Sequence, residues 1–199
     1  MEIKINEIED KINENVEILQ PYIITELSSV VTVDSVQLNN SLYQNIKQNL
    51  IDVRENRCYK NYGFIEKIYE ITNSTKGIMQ HENPYGSVVF NVNFSCKLWN
   101  PMKNTFVIAM LDKYNRKILN TKCGPIKIII EDTQINSHKF TFNRKNNLIY
   151  KQNDDVINNG AYLKVMILSK IFNDSDEIII AKGYLDDIPT EDEIKKFEK

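Results

Sequence analysis

The sequence predicts an α+β protein in which a small N-terminal α/β unit precedes a five-stranded β-barrel. Three observations predict this. Strand, helix and strand patterns follow one another between Ile23 and Ile71; one long amphipathic strand runs from Ser87 to Trp99; and five short strand-like runs, separated by turn residues, follow Pro101. A length of 199 residues suits two small domains.

The elements are justified in order. Ile5, Ile8, Ile12, Val16 and Leu19 fall at helical spacing, Asn6 and Glu9 stand in a capping-box relation, and Pro21 is a stop. An amphipathic helix over residues 1–20 is expected, its single apolar stripe packing on the body of the protein or on a partner. From Ile23 to Val36 β-branched residues dominate, and Val31, Val33 and Val36 alternate with Thr32 and Asp34 as in a strand. Asn39, Asn40 and Ser41 are helix N-caps, and Leu42, Ile46, Leu50 and Val53 share one face of a helix from Leu42 to Glu55. Tyr62 to Ile71 returns to strand. Thr72 to Ser87, with Gly77, Pro84 and Gly86, reads as a long turn-rich connection.

Val88, Phe90, Val92, Phe94, Cys96 and Leu98 then occupy one face of a strand whose other face carries Asn91, Asn93, Ser95 and Lys97. Such a strand is half buried and able to link two domains. Phe106 to Leu111, Lys117 to Lys122, Ile126 to Ile130, Tyr162 to Ser169 and Glu177 to Tyr184 are five short strands that fit a barrel of the OB kind. Asn136 to Asn159 is polar and unpatterned, so a long loop is expected there. Pro189 and Thr190 ahead of Glu193 start a short charged helix. The expected divisions are thus a helical extension over 1–20, an N-terminal domain over 21–87, a barrel over 88–188 and a C-terminal helix over 189–199.

Composition narrows the function classes. No stretch approaches the eighteen apolar residues of a membrane span, and no secretory signal pattern follows Met1, so a soluble protein without membrane contact is expected. Cys58, Cys96 and Cys123 are widely spaced and contain no C-x-x-C, which implies a reducing, intracellular compartment and no zinc site. Asn makes up roughly one residue in eight and Ile roughly one in seven, a bias that fits an AT-rich genome. Net charge is −2, but it is unevenly spread: about −4 over residues 1–20, about 0 over 21–99, about +7 over 100–151 and about −5 from there on. The basic segment is either a solvated positive face or a surface that attracts phosphates. Catalysis finds no support. His81 and His138 stand far apart; no H-x-x-x-H, nucleophile elbow or phosphate-cradling Gly loop is present; and the adjacent pairs Asp154-Asp155 and Asp186-Asp187 would point their side chains apart. No catalytic residue, metal site or cofactor is expected.

Four stretches, in this order and over about Thr25 to Leu185, resemble the RNA polymerase stalk subunit family: the seventh subunit of eukaryotic polymerase II, its counterparts in polymerases I and III, and the archaeal polymerase's own version of it. Tyr62-Gly63-Phe64-Ile65 looks like the strand that closes the family's first domain. Lys76-Gly77-Ile78 through Pro84-Tyr85-Gly86-Ser87 looks like its tip loop. Val88-Val89-Phe90-Asn91-Val92 through Trp99-Asn100-Pro101 resembles the joining strand, and Cys123-Gly124-Pro125-Ile126-Lys127 a Gly-Pro turn inside the barrel. Phe142-Asn143 and Asp154-Asp155-Val156-Ile157 match the loop before the last long strands. A divergent copy of such a protein with this composition would suit a large cytoplasmic DNA virus, or a protist of AT-rich genome.

The resemblance implies a non-catalytic stalk subunit. Its first domain, the tip, would dock on the polymerase core near the clamp base, against the largest subunits and a small core subunit, with Gly77, Ile78, Asn83, Pro84, Tyr85 and Gly86 as the docking element. Family members also pair with a small helical partner. The barrel would meet nascent single-stranded RNA through Lys113, Tyr114, Arg116, Lys117, Lys122 and Lys127. In the second barrel strand, where barrels of this class often place Gly-aromatic, this chain has Ile118 and Leu119. RNA contact should therefore be weak and salt-sensitive, with Phe140 and Phe142 as the remaining rings beside Tyr114. The implied location is host cytoplasm or virion for a viral protein and nucleus for a cellular one. Two other readings are a free-standing OB-fold RNA-binding protein outside transcription, such as a translation factor or its decoy, and an assembly piece whose barrel never meets RNA. A free barrel has no need of the strand-helix-strand unit.

Overall fold

The computed structural model describes residues 18–79, 86–143 and 147–197. It divides into two compact units: Tyr22–Asn100 together with Phe172–Ile178, and the described residues of 1–21, 101–171 and 179–199.

The N-terminal unit is a sheet with one helix on it. In chain order it contains β1 (Tyr22–Val33), α1 (Leu42–Arg54), β2 (Arg57–Tyr59), β3 (Gly63–Ser74), β4 (Ile78–Met79) and β5 (Val88–Trp99). The sheet order is β1-β5-β3-β2, with β4 also on β5. The period-2 pattern of β5 is realised: Val88, Phe90, Val92, Phe94, Cys96 and Leu98 are all buried in one cluster with Ile46 and Leu50 of α1. Three register shifts interrupt the pairing of β3 with β5, and irregularities of this kind increase a strand's local twist. Gly63, at φ +140, is required where it stands, because a Cβ there would run into the Trp99 carbonyl.

The expected boundary after residue 87 moves. Strand β5 pairs with β1 from Tyr22↔Trp99 to Val33↔Val88 and with β3 from Phe64↔Trp99 to Ser74↔Val92. A strand bonded along both edges is the centre of its sheet, so the boundary falls after Asn100. The connection expected from Thr72 is also shorter, since β3 runs to Ser74 and Ile78–Met79 pairs with Val89 and Val88.

The second unit contains β6 (Phe106–Tyr114), β7 (Ile118–Cys123), β8 (Ile126–Glu131), β9 (Phe140–Phe142), β10 (Leu148–Tyr150), β11 (Asp155–Val156), β12 (Tyr162–Ile171), β13 (Ile179–Asp187) and α2 (Glu191–Phe197). Strands β6, β7, β8, β13 and β12 close into a barrel in that order. Within it only β8 and β13 run parallel. Five strands in a closed sheet of this connectivity form an OB-type barrel. Its interior includes Leu119, Thr121, Ile126, Ile128, Ile130, Val165 and Leu185, each fully buried. Gly183 lies among them, and a Cβ there would stand 2.5 Å from Val165 Cγ1 and 2.6 Å from Ile128 Cγ2.

The loop expected over Asn136 to Asn159 is instead a small antiparallel sheet, β11-β10-β9. Phe140, Leu148, Tyr150 and Ile157 supply its buried side. With strands of two or three residues, it is too short for a period to register in a polar sequence. The capping box at Thr190 is present: the Thr190 N–H donates to a Glu193 carboxylate oxygen at 2.8 Å and the Glu193 N–H to Thr190 Oγ1 at 3.3 Å. The expected N-terminal helix lies almost wholly outside the described residues. Its last positions are extended, with Ile18 bridging Phe106 and the Leu19 N–H donating to the Phe106 carbonyl at 3.0 Å.

Candidate nucleic-acid interface

The basic residues of the barrel fall into two groups. The first is on its outer wall. Cys123↔Ile126 and Lys122↔Lys127 are cross-strand pairs, fixed by the two-residue turn Gly124-Pro125, where Gly124 adopts φ +56. With Met110 opposite Lys122 and Ile180 opposite Lys127, these residues form one row around the wall. The next row is Lys113, Asn120, Ile129 and Lys182. Two of the four lysines are neutralised, Lys122 by Asp112 at 3.0 Å and Lys182 by Glu131 at 3.1 Å. These are exposed pairs of small energetic value. Among the described residues neither Lys113 nor Lys127 has an ion pair. The outward positions of β7 and β8 carry no aromatic ring, since Ile118, Asn120 and Lys122 face out on β7 and Lys127, Ile129 and Glu131 on β8.

The second group, Tyr114, Arg116 and Lys117, sits at the β6–β7 turn, next to the small sheet. Asn115 Oδ1 accepts from the N–H groups of Lys117 and Ile118 at 2.9 Å each, which shapes the turn. The Tyr114 hydroxyl donates to the Ile157 carbonyl at 3.2 Å, so that ring is fastened to the small sheet rather than open for stacking. Arg116 donates to the Asn143 carbonyl at 3.4 Å. Between this turn and the small sheet lies an open cleft of about 520 Å³ with Arg116 and Lys117 on its rim and Ile135, Phe140, Phe142 and Leu148 among its apolar lining. Phe140 is buried, 5.3 Å from the Tyr150 ring, whereas Phe142 is only partly buried.

A partly buried ionic knot holds the small sheet to β13. Asp187 accepts from Lys139 Nζ at 2.6 Å and from the Tyr150 hydroxyl at 2.8 Å, and the neighbouring Asp186 lies 3.7 Å from the same ammonium. Burial alone would raise the Asp187 carboxyl, but the bonds from Lys139 and Tyr150 outweigh it and hold it below the usual aspartate range. The same surroundings, burial first and the Asp187 bond next, push the Tyr150 phenol up to about 12. The pair Asp186-Asp187 thus serves as a structural anchor.

The expected docking element is described only in part. Asn83, Pro84 and Tyr85 lie outside the described residues. Gly77 packs so closely that an added Cβ would reach within 2.7 Å of the Phe90 ring, Ile78 is 62% exposed, and Gly86 has φ +62. Sequence reasoning missed Lys182, Met110 and Ile180 on the barrel wall. Lys182 joins the basic row through the parallel β8–β13 pairing, for which no local signal exists. The adjacency of Lys122 and Lys127 was readable, because a two-residue hairpin at Gly124-Pro125 dictates it.

Burial pushes the thiols of Cys58 and Cys96 up to about 11 and that of Cys123 to about 12, with Asp176 and Asp174 adding to the effect at Cys58. None is poised as a thiolate. Among the described residues no group of three His, Cys, Asp or Glu side chains could hold a metal ion, and no helix is long and apolar enough to cross a membrane.

No protein-family model matches the chain. A protein of Acanthamoeba polyphaga mimivirus provisionally named as a DNA-directed RNA polymerase subunit is 27% identical over 177 residues, spanning 89% of this chain and 88% of that protein. Subunit RPB7 of DNA-directed RNA polymerase II from Glycine max is 26% identical over 109 residues, 52% of this chain and 60% of that protein. With the OB-type barrel following the helix-covered sheet, these likenesses support an RPB7-like subunit of a DNA-directed RNA polymerase.

Proposed function

We propose that the chain is the non-catalytic stalk subunit of a DNA-directed RNA polymerase, docking through its N-terminal unit near the clamp base and offering its barrel to nascent RNA. The likeness to a viral polymerase subunit over 89% of the chain carries this reading. Docking would use the Gly77-Ile78 strand end and the segment that follows, against the largest subunits and a small core subunit, and a small helical partner would complete the stalk. RNA contact would use the barrel's lysines. With two of the four wall lysines already paired, that contact should be weak and fall with salt. Such a protein works inside the cell, in the cytoplasm or virion for a viral polymerase and in the nucleus for a cellular one.

The test is copurification of a tagged full-length chain from its native source, with every bound chain identified. Recovery of the largest polymerase subunits is expected. Recovery without any polymerase subunit would sink the proposal.

A further inference from the structure

The cleft between the β6–β7 turn and the small sheet has features that the outer wall of β7 and β8 lacks. It is concave, and its volume of about 520 Å³ falls within the range of small-ligand sites, roughly 300–1,000 Å³. It offers a partly buried ring, Phe142, paired across strands with the buried Leu148 and lining the cleft with the buried Phe140. Two exposed cations, Arg116 and Lys117, stand at its rim, and the one acid among its lining residues, Asp132, leaves the rim net positive. Its walls are held in place before any ligand arrives. The Asp132 N–H donates to the Lys117 carbonyl at 3.0 Å, Tyr114 ties the turn to Ile157, Asn143 and Asn147 bond each other at 2.8 and 3.0 Å, and the Asp187 knot anchors β10. A preformed site loses little entropy on binding.

A cationic rim beside an aromatic face is how single-stranded nucleic acid is held without regard to sequence, the ring taking a base and the cations its phosphate. We infer that this cleft seats one nucleotide of single-stranded RNA, its base against Phe142 and its phosphate on Arg116 and Lys117. The inference rests on the proposal that the barrel meets RNA, and it moves the centre of that contact from the lysine rows to the small sheet. The wall lysines Lys113 and Lys127 then act as a diffuse electrostatic field around the site.

The experiment measures fluorescence anisotropy of a labelled twelve-residue oligouridine on the full-length chain at two salt concentrations. Phe142→Ala should weaken binding roughly tenfold with the salt slope unchanged. The double variant Arg116→Gln, Lys117→Gln should weaken it and flatten the slope by about 0.7, the value for the one phosphate no longer neutralised. Lys122→Gln with Lys127→Gln should cost less than threefold. In the unmodified protein, photo-crosslinks from 5-iodouridine RNA should map between Ile135 and Leu148, which needs no variant to fold. Crosslinks confined to β7 and β8, with Phe142→Ala binding as wild type, would overturn the nucleotide seat while leaving RNA contact intact. No binding even at low salt would overturn both. A labelled polyglutamate peptide that binds and loses affinity in the Arg116, Lys117 variant, while RNA affinity is unaffected, would mark the cleft as a protein-docking site instead.

Discussion

Two turns of the same barrel meet different fates. The turn Phe172–Ile178, between β12 and β13, is bonded into the N-terminal unit: the Cys58 N–H donates to the Asp176 carbonyl at 2.7 Å, the Ser175 N–H to the Cys58 carbonyl at 2.8 Å, and the Lys60 N–H to Asp174 Oδ1 at 2.7 Å. Among the described residues, the β6–β7 turn bonds within its own unit and has an open cleft at its side. Barrels of this class bind ligands with the face between these two turns. Here the first turn is bonded within the N-terminal unit, and the proposed nucleotide seat adjoins the second, beside the small sheet.

The largest effect should come from breaking the framework that holds the first turn. Gly63→Ala would drive a Cβ into the Trp99 carbonyl at a backbone angle that only glycine tolerates, and should cost roughly 3 kcal/mol or more. Hydrogen exchange should then show the amides of Cys58, Ser175 and Asp176 losing protection together while those of β7 and β8 keep theirs. Equal loss in β7 and β8 would contradict the division into units.

Leu119→Ala removes a fully buried side chain from the barrel and should cost about 2–5 kcal/mol in thermal or denaturant unfolding. Its effect should appear first at β7 and β8, and unchanged protection there would refute the barrel core described above. A smaller loss is expected from Asp187→Asn, which leaves the half-buried Lys139 ammonium short of its partner, about 1–3 kcal/mol.

The same carboxylate sets an acid dependence. Its folded value is held down, so its stabilisation is fully present above the ordinary aspartate value of about 3.9 and is lost as pH falls through the lower folded value. Acid titration should detach the small sheet, followed through Tyr150 fluorescence or exchange at Leu148, and Asp187→Asn should abolish that step. A step that persists in the variant would assign it to another group. The smallest effect belongs to Asp174→Ala, which removes a bond to the Lys60 amide and a loose 4.0 Å pair with Arg54, worth about 1 kcal/mol.

Much of this molecule was legible because its signals are local. The alternation in Val88 to Trp99, the helical spacing of Leu42, Ile46 and Leu50, the Gly124-Pro125 hairpin and the Thr190 capping box each depend on neighbours within a few residues, and each appears in the structure. The charge gradient likewise placed the cations on the barrel. The pattern of β5 announced which face would be buried but not which strands would flank it, and for that reason the domain boundary was misplaced.

What the sequence by itself determined is the longer strands, helices α1 and α2, their buried faces and the concentration of positive charge between residues 100 and 151, since all follow from side-chain periodicity, capping and composition. Only the tertiary structure decided which strands pair. Pairing sets β5 at the centre of its sheet, brings Lys182 into the basic row through the parallel β8–β13 ladder, folds residues 140–156 into a sheet and opens a cleft beside Phe142. The reason is physical: hydrogen bonds between distant strands form wherever closing the barrel and burying both faces cost least, and no residue carries a mark of its partner.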